Sequence, residues 1–508
     1  MKIDLKQLKK SIDRVNNYNV VKKTPLQKLD QLSKRFDNHI FVKREDLQLI
    51  HSFKIRGAMN RFSKLTKKNL INGVIAASAG NHAQGVALSA KKIKCRAVIV
   101  MPEITPLIKV EAVKSHGAEV VLHGDNFAAA MAHAFELAEE EKLTFLHPYD
   151  DLDVIAGQGT IGKEILDQFN NKPIHAIFCC VGGGGLVSGV AAYIKSVNPK
   201  IKVIGVEAKG AEAMTKSLKA NKRVNLKQVA LFAEGAAVKQ VGEHNFELCK
   251  QLVDEMIVVD NDAICAAIKD MFEDTRTVLE PAGALALAGM KQYIEKNKLL
   301  NENMIGIASG ANMNFDRLRF VSERAEIGEQ REAIIAVTIP EKPGAFKSFC
   351  EKIGKRNITE FNYRYSSKKN AQIFTGISIS DPSEVKRIIN SLGAAGLEAI
   401  DLTANEMAKL HLRHLVGGRA PQAKNELIYR FEFPEQPGAL MNFLGHLNKG
   451  WNISLFHYRN HGADTARVLV GIQVPTRQKQ TFKKFLSQLG YPYWDESENP
   501  GYSLFLGG

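Results

Sequence analysis

The run Ile174-His175-Ala176-Ile177-Phe178-Cys179-Cys180-Val181-Gly182-Gly183-Gly184-Gly185-Leu186, continued by an apolar stretch to Lys195, decides how the chain folds. Residues 174–181 are almost all apolar and rich in Ile, Val and Phe, the pattern of a strand buried on both faces. Residues 186–195 predict a helix. Four glycines between them break the run, so it reads as strand, loop and helix rather than as a membrane span. Residues without side chains let backbone amides approach an anion closely, and the N-terminal end of the next helix adds positive potential. The loop lacks the Gly-Lys-Ser/Thr ending of a nucleotide loop and no G-x-G-x-x-G register fits it. A nucleoside triphosphate and a dinucleotide are disfavoured, and a small phosphorylated cofactor remains.

The same rhythm extends outward. After a helix and a connector within residues 1–40, strands are predicted at 39–43, 73–77, 96–101, 119–122, 202–207 and 304–308. Helices are predicted at 57–65, from 81 to about 92, and at 106–115, 126–141 and 159–169. This alternation implies an α/β class with a mostly parallel sheet covered on both faces. Three loops then lie at C-terminal strand ends, where open α/β sheets place their ligands. The first is the glycine loop. The second, Ser78-Ala79-Gly80-Asn81-His82, opens a helix, and there Ser78 or Asn81 is a cap or free amides receive a carboxylate. The third offers Ser309, a partner for a ring nitrogen or the cap of a turn.

Lys54 stands between Phe53 and Ile55 in His51-Ser52-Phe53-Lys54-Ile55-Arg56-Gly57. Desolvation by such neighbours lowers an ammonium pKa and makes the amine a nucleophile, although a snorkelling stem has the same pattern. A nucleophilic lysine with a small-phosphate cradle points to pyridoxal phosphate.

Composition excludes other classes. The chain has 508 residues, 45% hydrophobic and 24% charged, which predicts two to four soluble units. Its net charge of +15 is scattered, with no basic stripe interleaved with aromatics, so nucleic acid is not expected as a partner. The six cysteines include no CxxC and no zinc-like pairing with histidine, and no metal is expected. The N-terminus lacks the apolar core of a signal peptide, no membrane association is expected, and a reducing cytoplasm is the expected compartment.

Together, His51 to Ala58, Ser78-Ala79-Gly80-Asn81-His82-Ala83-Gln84-Gly85, the glycine loop, Leu231-Phe232-Ala233-Glu234-Gly235, Glu280-Pro281-Ala282-Gly283-Ala284-Leu285 and Ser309-Gly310-Ala311-Asn312 resemble the serine/threonine dehydratase family. The resemblance implies the tryptophan synthase β-subunit fold (pyridoxal-phosphate fold type II) over about residues 10–325. It further implies that Lys54 holds the cofactor as a Schiff base and takes the substrate's Cα proton. Asn81 would bind the cofactor's 3-hydroxyl. Gly182, Gly183, Gly184, Gly185 and Leu186 would cradle its phosphate, Ser309 would bond the pyridine nitrogen and Phe53 would pack near the ring. Ser78, Ala79, Gly80, Asn81 and His82 would take the substrate carboxylate, with Gly235 and Glu280 as further contacts. Glu280, just before Pro281, could equally be a first-turn helix charge. Racemases of this fold carry a serine where this chain has Ala79, so elimination is expected rather than racemisation.

Residues 326–508 contain an internal repeat. Ala336 to Phe346 is echoed by Tyr429 to Leu440, and Asn357 to Arg364 by Asn452 to Arg459, about 95 residues apart. Each copy reads as a βαββαβ, ferredoxin-like sandwich. The copies resemble the ACT-like regulatory domains of biosynthetic threonine dehydratases. That implies isoleucine as inhibitor, valine as opposing activator and a homotetramer. Phe361, Tyr363, Phe456 and Tyr458 either line effector sites or fill the cores. The expected division is a catalytic domain at 1–325, a linker at 326–331, ACT-like copies at 332–403 and 425–496 joined by 404–424, and a tail at 497–508. The expected reaction converts L-threonine to 2-oxobutanoate and ammonia, the first step of isoleucine biosynthesis. The alternatives are a catabolic serine/threonine dehydratase and a non-catalytic amino-acid-binding regulator.

Overall fold

The computed structural model describes residues 3–506 except 171, 341–348, 350–351, 354–357, 366–369, 415–424, 435–442, 444–445, 447–450 and 460–464. The chain divides into two compact units, Met1–Met313 and Asn314–Gly508. No helix among the described residues is long and apolar enough to cross a membrane.

In the first unit the predicted single sheet is two sheets. The larger has the order Leu26–Lys28, His39–Arg44, Asn303–Ala308, Ala176–Cys180, Lys202–Ala208, Glu255–Val259, parallel except for its first pair. The smaller runs Glu119–Leu122, Ala97–Met101, Val74–Ala77, Thr144–Phe145 and is wholly parallel. The division arises because Val74–Ala77 pairs with Ala97–Met101 and Thr144–Phe145, while His39–Arg44 takes Asn303–Ala308 from the far end of the unit. Every residue of Ala176–Cys180 and of Val74–Ala77 is buried, as the apolar runs demand.

The helix carrying Lys54 begins at that residue, running Lys54–Lys64, earlier than predicted. It packs on Leu152–Phe169, which begins seven residues before its predicted start. A β-carbon on Gly157 would lie 2.7 Å from Gly57 Cα, so the two helices meet backbone to backbone.

Beneath this contact lies a buried charge network. Lys43 donates to Glu164 Oε2 at 2.6 Å and to the Thr24 carbonyl at 2.5 Å. Arg56 pairs with Glu45 and with Glu164, each at 2.7 Å, and all four side chains are no more than 1% exposed. Two cations meet two carboxylates, so no net charge is buried. Removing one partner leaves buried charge uncompensated. Glu164→Ala is therefore expected to destabilise the protein by about 3–5 kcal/mol in urea unfolding, and wild-type stability would contradict this reading.

The second unit opens with the helix Arg317–Gly328, which runs through the expected boundary at 325. Two four-stranded antiparallel sheets follow. Their orders are Ile358–Tyr365, Asn370–Ser378, Glu332–Pro340, Glu398–Asp401 and Asn452–Arg459, Thr465–Gln473, Glu426–Pro434, Tyr493–Asp495. Both place the first strand of the repeat between the third and fourth, the ferredoxin-like arrangement. Each sheet packs on a helix, Ser383–Ala394 or Lys479–Leu489. A shared cluster that includes Ile334, Phe374, Ile428, Leu469 and Phe505 joins the two copies. Phe505 belongs to the helix Pro500–Phe505, so the expected tail is built into this core.

Candidate active site

Three adjacent strands of the larger sheet lead to the Lys54 stretch and to two of the predicted loops. His39–Arg44 leads to Lys54, Asn303–Ala308 ends at Ser309, and Ala176–Cys180 ends at the glycine loop. The first two loops are zipped together. Phe53 N donates to the Ser309 carbonyl at 3.1 Å and Ala311 N to the His51 carbonyl at 2.9 Å, around a bridge between Ser52 and Gly310.

Lys54 Nζ lies 5.1 Å from the centre of the Phe53 ring and donates to the Pro148 carbonyl at 3.3 Å. Burial of the ammonium pulls its pKa down to about 8, against upward pulls from Cys180 and Glu280. His82 Nε2 donates to the Leu146 carbonyl at 3.2 Å. Burial, helped by Lys54, pushes its pKa down to about 3, so it is neutral.

The glycine loop turns at Gly184, whose φ of +99° lies in the region that glycine alone enters freely. The helix Gly185–Val197 starts there with no side-chain cap, leaving its first amides without a competing acceptor from a side chain. The loop is packed from below: a β-carbon on Gly182 would lie 2.8 Å from Ala236 Cα, and one on Gly183 would enter the Tyr149 ring. Ser309 Oγ accepts from Cys180 Sγ at 3.2 Å and donates to the Ala282 carbonyl at 3.3 Å.

The loop opening Asn81–Ile93 comes from the smaller sheet. Its cap position is Gly80, without a side-chain bond, and Ser78 Oγ accepts from Gly80 N at 3.3 Å. Neither Ser78 nor Asn81 caps this helix. Asn81 instead donates to Glu280 Oε1 at 2.6 Å and accepts from Asn312 Nδ2 at 2.6 Å. Glu280 precedes the helix Pro281–Asn297 without capping it, so its carboxylate serves the Asn81 contact. A β-carbon on Gly235 would lie 3.5 Å from Glu280 Oε1 and 3.7 Å from Asn81 Nδ2, which puts Gly235 in the same cluster.

The sequence reading passed over His147-Pro148-Tyr149-Asp150. His147 Nδ1 accepts from Asp150 N at 2.8 Å and from Tyr149 N at 3.3 Å, folding a turn that supplies both the Lys54 contact and the ring beneath Gly183. Its signal was a Pro-containing polar cluster directly after a strand, a place where functional loops sit. Phe361, Tyr363, Phe456 and Tyr458 stand in register opposite Thr375, Ile373, Val470 and Val468, and their own side chains lie outside the described residues.

A family of pyridoxal-phosphate dependent enzymes matches residues 18–310, and the C-terminal regulatory domain of threonine dehydratase matches twice, at 323–412 and 417–506. The chain is 54% identical over 492 residues to L-threonine dehydratase biosynthetic IlvA of Burkholderia multivorans, spanning 96% of this chain and 97% of that one. The Escherichia coli protein of the same name is 50% identical over 500 residues, with 98% and 97% spanned. The chain belongs to the biosynthetic threonine dehydratases. Among solved structures, the processed form of threonine deaminase isoform 2 from Solanum lycopersicum is similar with a TM-score of 0.62 and 49% identity, covering 64% of this chain and 88% of that one.

The family's cofactor is pyridoxal phosphate, and the residues present fit it. A buried amine, a glycine loop into which β-carbons would not fit and an uncapped helix start are the donor set that an aldehyde with a phosphate requires.

The lowered pKa of Lys54 has a stability consequence. Between about 8 and 10.5 the unfolded chain holds a proton that the folded one lacks, so the cost is complete below pH 8 and vanishes as pH rises past 10.5. Lys54→Met is expected to stabilise the cofactor-free protein by up to ~3 kcal/mol at pH 7, with the difference closing toward pH 10.5. A constant difference across that range in denaturant titrations would contradict the shift.

Proposed function

We propose that the chain converts L-threonine to 2-oxobutanoate and ammonia, the first step of isoleucine biosynthesis, with Lys54 as its base. The observation that carries this reading is the meeting of a low-pKa amine, a serine hydroxyl and a glycine cradle at the ends of three neighbouring strands.

The cofactor, when bound, supplies an electron-withdrawing ring that stabilises negative charge developing at the substrate's Cα. Lys54 would anchor it through Nζ and, once free, would take the substrate's Cα proton; a pKa near 8 leaves the amine partly unprotonated near neutrality. The amides of Gly182 to Leu186 would hold the phosphate, and Asn81, fixed by Glu280 and Asn312, would bind the 3-hydroxyl. Ser309 would offer the ring nitrogen a neutral hydroxyl, which cannot keep that nitrogen protonated as a carboxylate would. This favours early loss of the β-hydroxyl. Ser78 and the amides through His82 take the substrate carboxylate, and Phe53 closes one side. Loss of the β-hydroxyl as water and addition of water to the released enamine together balance as threonine giving 2-oxobutanoate and ammonia.

The two C-terminal copies support feedback control, with isoleucine inhibiting and valine opposing it, in a cytoplasmic homotetramer. They also favour this reading over a catabolic dehydratase. Linkage requires that an effector which weakens threonine binding be weakened by threonine in turn.

Turnover of threonine to 2-oxobutanoate is expected to fall at least roughly a thousandfold in Lys54→Ala, and substantial turnover in that variant would refute the mechanism. Isoleucine added at millimolar concentrations to the wild-type assay is expected to inhibit. A flat response would remove the regulatory assignment.

A further inference from the structure

Asn245 lies fully buried in the helix Glu243–Leu252, outside every motif that marked the site. Its Nδ2 donates at 3.0 Å to the Gly183 carbonyl and at 3.0 Å to the Tyr149 carbonyl. Both neighbours are acceptors, so the orientation of the amide is forced. Its Oδ1 is buried without a hydrogen-bond partner. An unpaired buried acceptor costs stability, and a leucine of similar size would avoid that cost. What the asparagine provides is its two donors.

Those donors act on peptide geometry. In a trans peptide the carbonyl and the following N–H point in opposite directions. The Gly183 carbonyl is held by Asn245 Nδ2 and, at 3.1 Å, by Gly242 N, so the Gly184 N–H is turned to the opposite side. Asn245 is itself held in place. Asp150 accepts from Glu243 N at 2.8 Å and from His244 N at 3.0 Å, fixing the first turn of its helix. A β-carbon on Gly184 would lie 2.7 Å from Asn245 Cβ, so the loop and this side chain are in direct contact.

We propose that Asn245 is a positioning residue for the phosphate cradle, aiming the glycine-loop amides and so setting the preference for a phosphorylated cofactor. The proposal rests on the assignment of residues 182–186 as that cradle.

The test compares the affinity of the full-length cofactor-free enzyme for pyridoxal phosphate and for unphosphorylated pyridoxal, read by absorbance titration. Asn245→Ala is expected to weaken pyridoxal phosphate by about tenfold or more while pyridoxal changes by less than about twofold. Asn245→Asp is expected to be weakened at least as much, because a carboxylate donates nothing and adds negative charge beside the phosphate. A merely structural role would weaken both ligands equally, and that result, or an unchanged ratio, overturns the proposal. Gly184→Val distorts the loop directly and separates the two assignments. Loss of phosphate preference in Gly184→Val but not in Asn245→Ala overturns the role of Asn245 and leaves the cradle standing. Retention in both removes the cradle assignment and the proposal with it. Should Asn245→Ala not fold, Asp150→Asn, which weakens the hold on Glu243 and His244 without changing shape, is expected to shift the ratio in the same direction. An unchanged ratio there also overturns the proposal.

Discussion

Arg56 stands two residues beyond Lys54 in the first turn of one helix, and its guanidinium bonds carboxylates from two other elements, Glu45 and Glu164. Phe53 gives that helix no side-chain cap, so its start has to be fixed from outside. Arg56 fixes it from beneath, and the pairing of residues 51–53 with 309–311 fixes it from the side. Buried ion pairs contribute little net stability once desolvation is counted. Their value in this protein is geometric: the lysine cannot be moved without unpairing charges that are no more than 1% exposed.

From that anchor the site extends through the turn at residues 147–150. The Pro148 carbonyl meets Lys54, the next residue lays its ring beneath Gly183, and Asp150 caps the helix that holds Asn245. One short turn thus links the amine to the glycine loop. On the other side, Glu280 from the larger half of the unit holds Asn81 from the smaller half, so the site lies between the two sheets.

Much of this was legible in the residues. The run from Ile174 through the glycines marked a buried strand, a loop and a helix, and each stands where the sequence placed it. The one-sheet reading failed because alternation of strands and helices does not say which strands pair. The start of Leu152–Phe169 was missed because Gly157 and Gly159 weaken a helical pattern, whereas close helix packing requires small residues there. Residues 208–303 yielded no elements. The helix Pro281–Asn297 is buried over most of its surface and so lacks a clear amphipathic stripe. Lys43, Arg44, Glu45 and Asp46 form a charged run in sequence, yet all four are buried: Arg44 pairs with Asp46, Glu45 with Arg56, and Lys43 with Glu164, a partner more than a hundred residues away. The C-terminal repeat predicted two similar folds but not their different interiors. The first core is built mainly from Ile and Val, the second from Phe, Tyr and Trp.

The proposed chemistry requires Lys54 to be the residue that carries the cofactor. Borohydride reduction of the pyridoxal-phosphate-loaded enzyme followed by peptide mass mapping tests this without relying on turnover. The prediction is a single phosphopyridoxyl mass addition on the peptide containing Lys54. Addition at another lysine, or no addition to an enzyme that binds the cofactor, would contradict it.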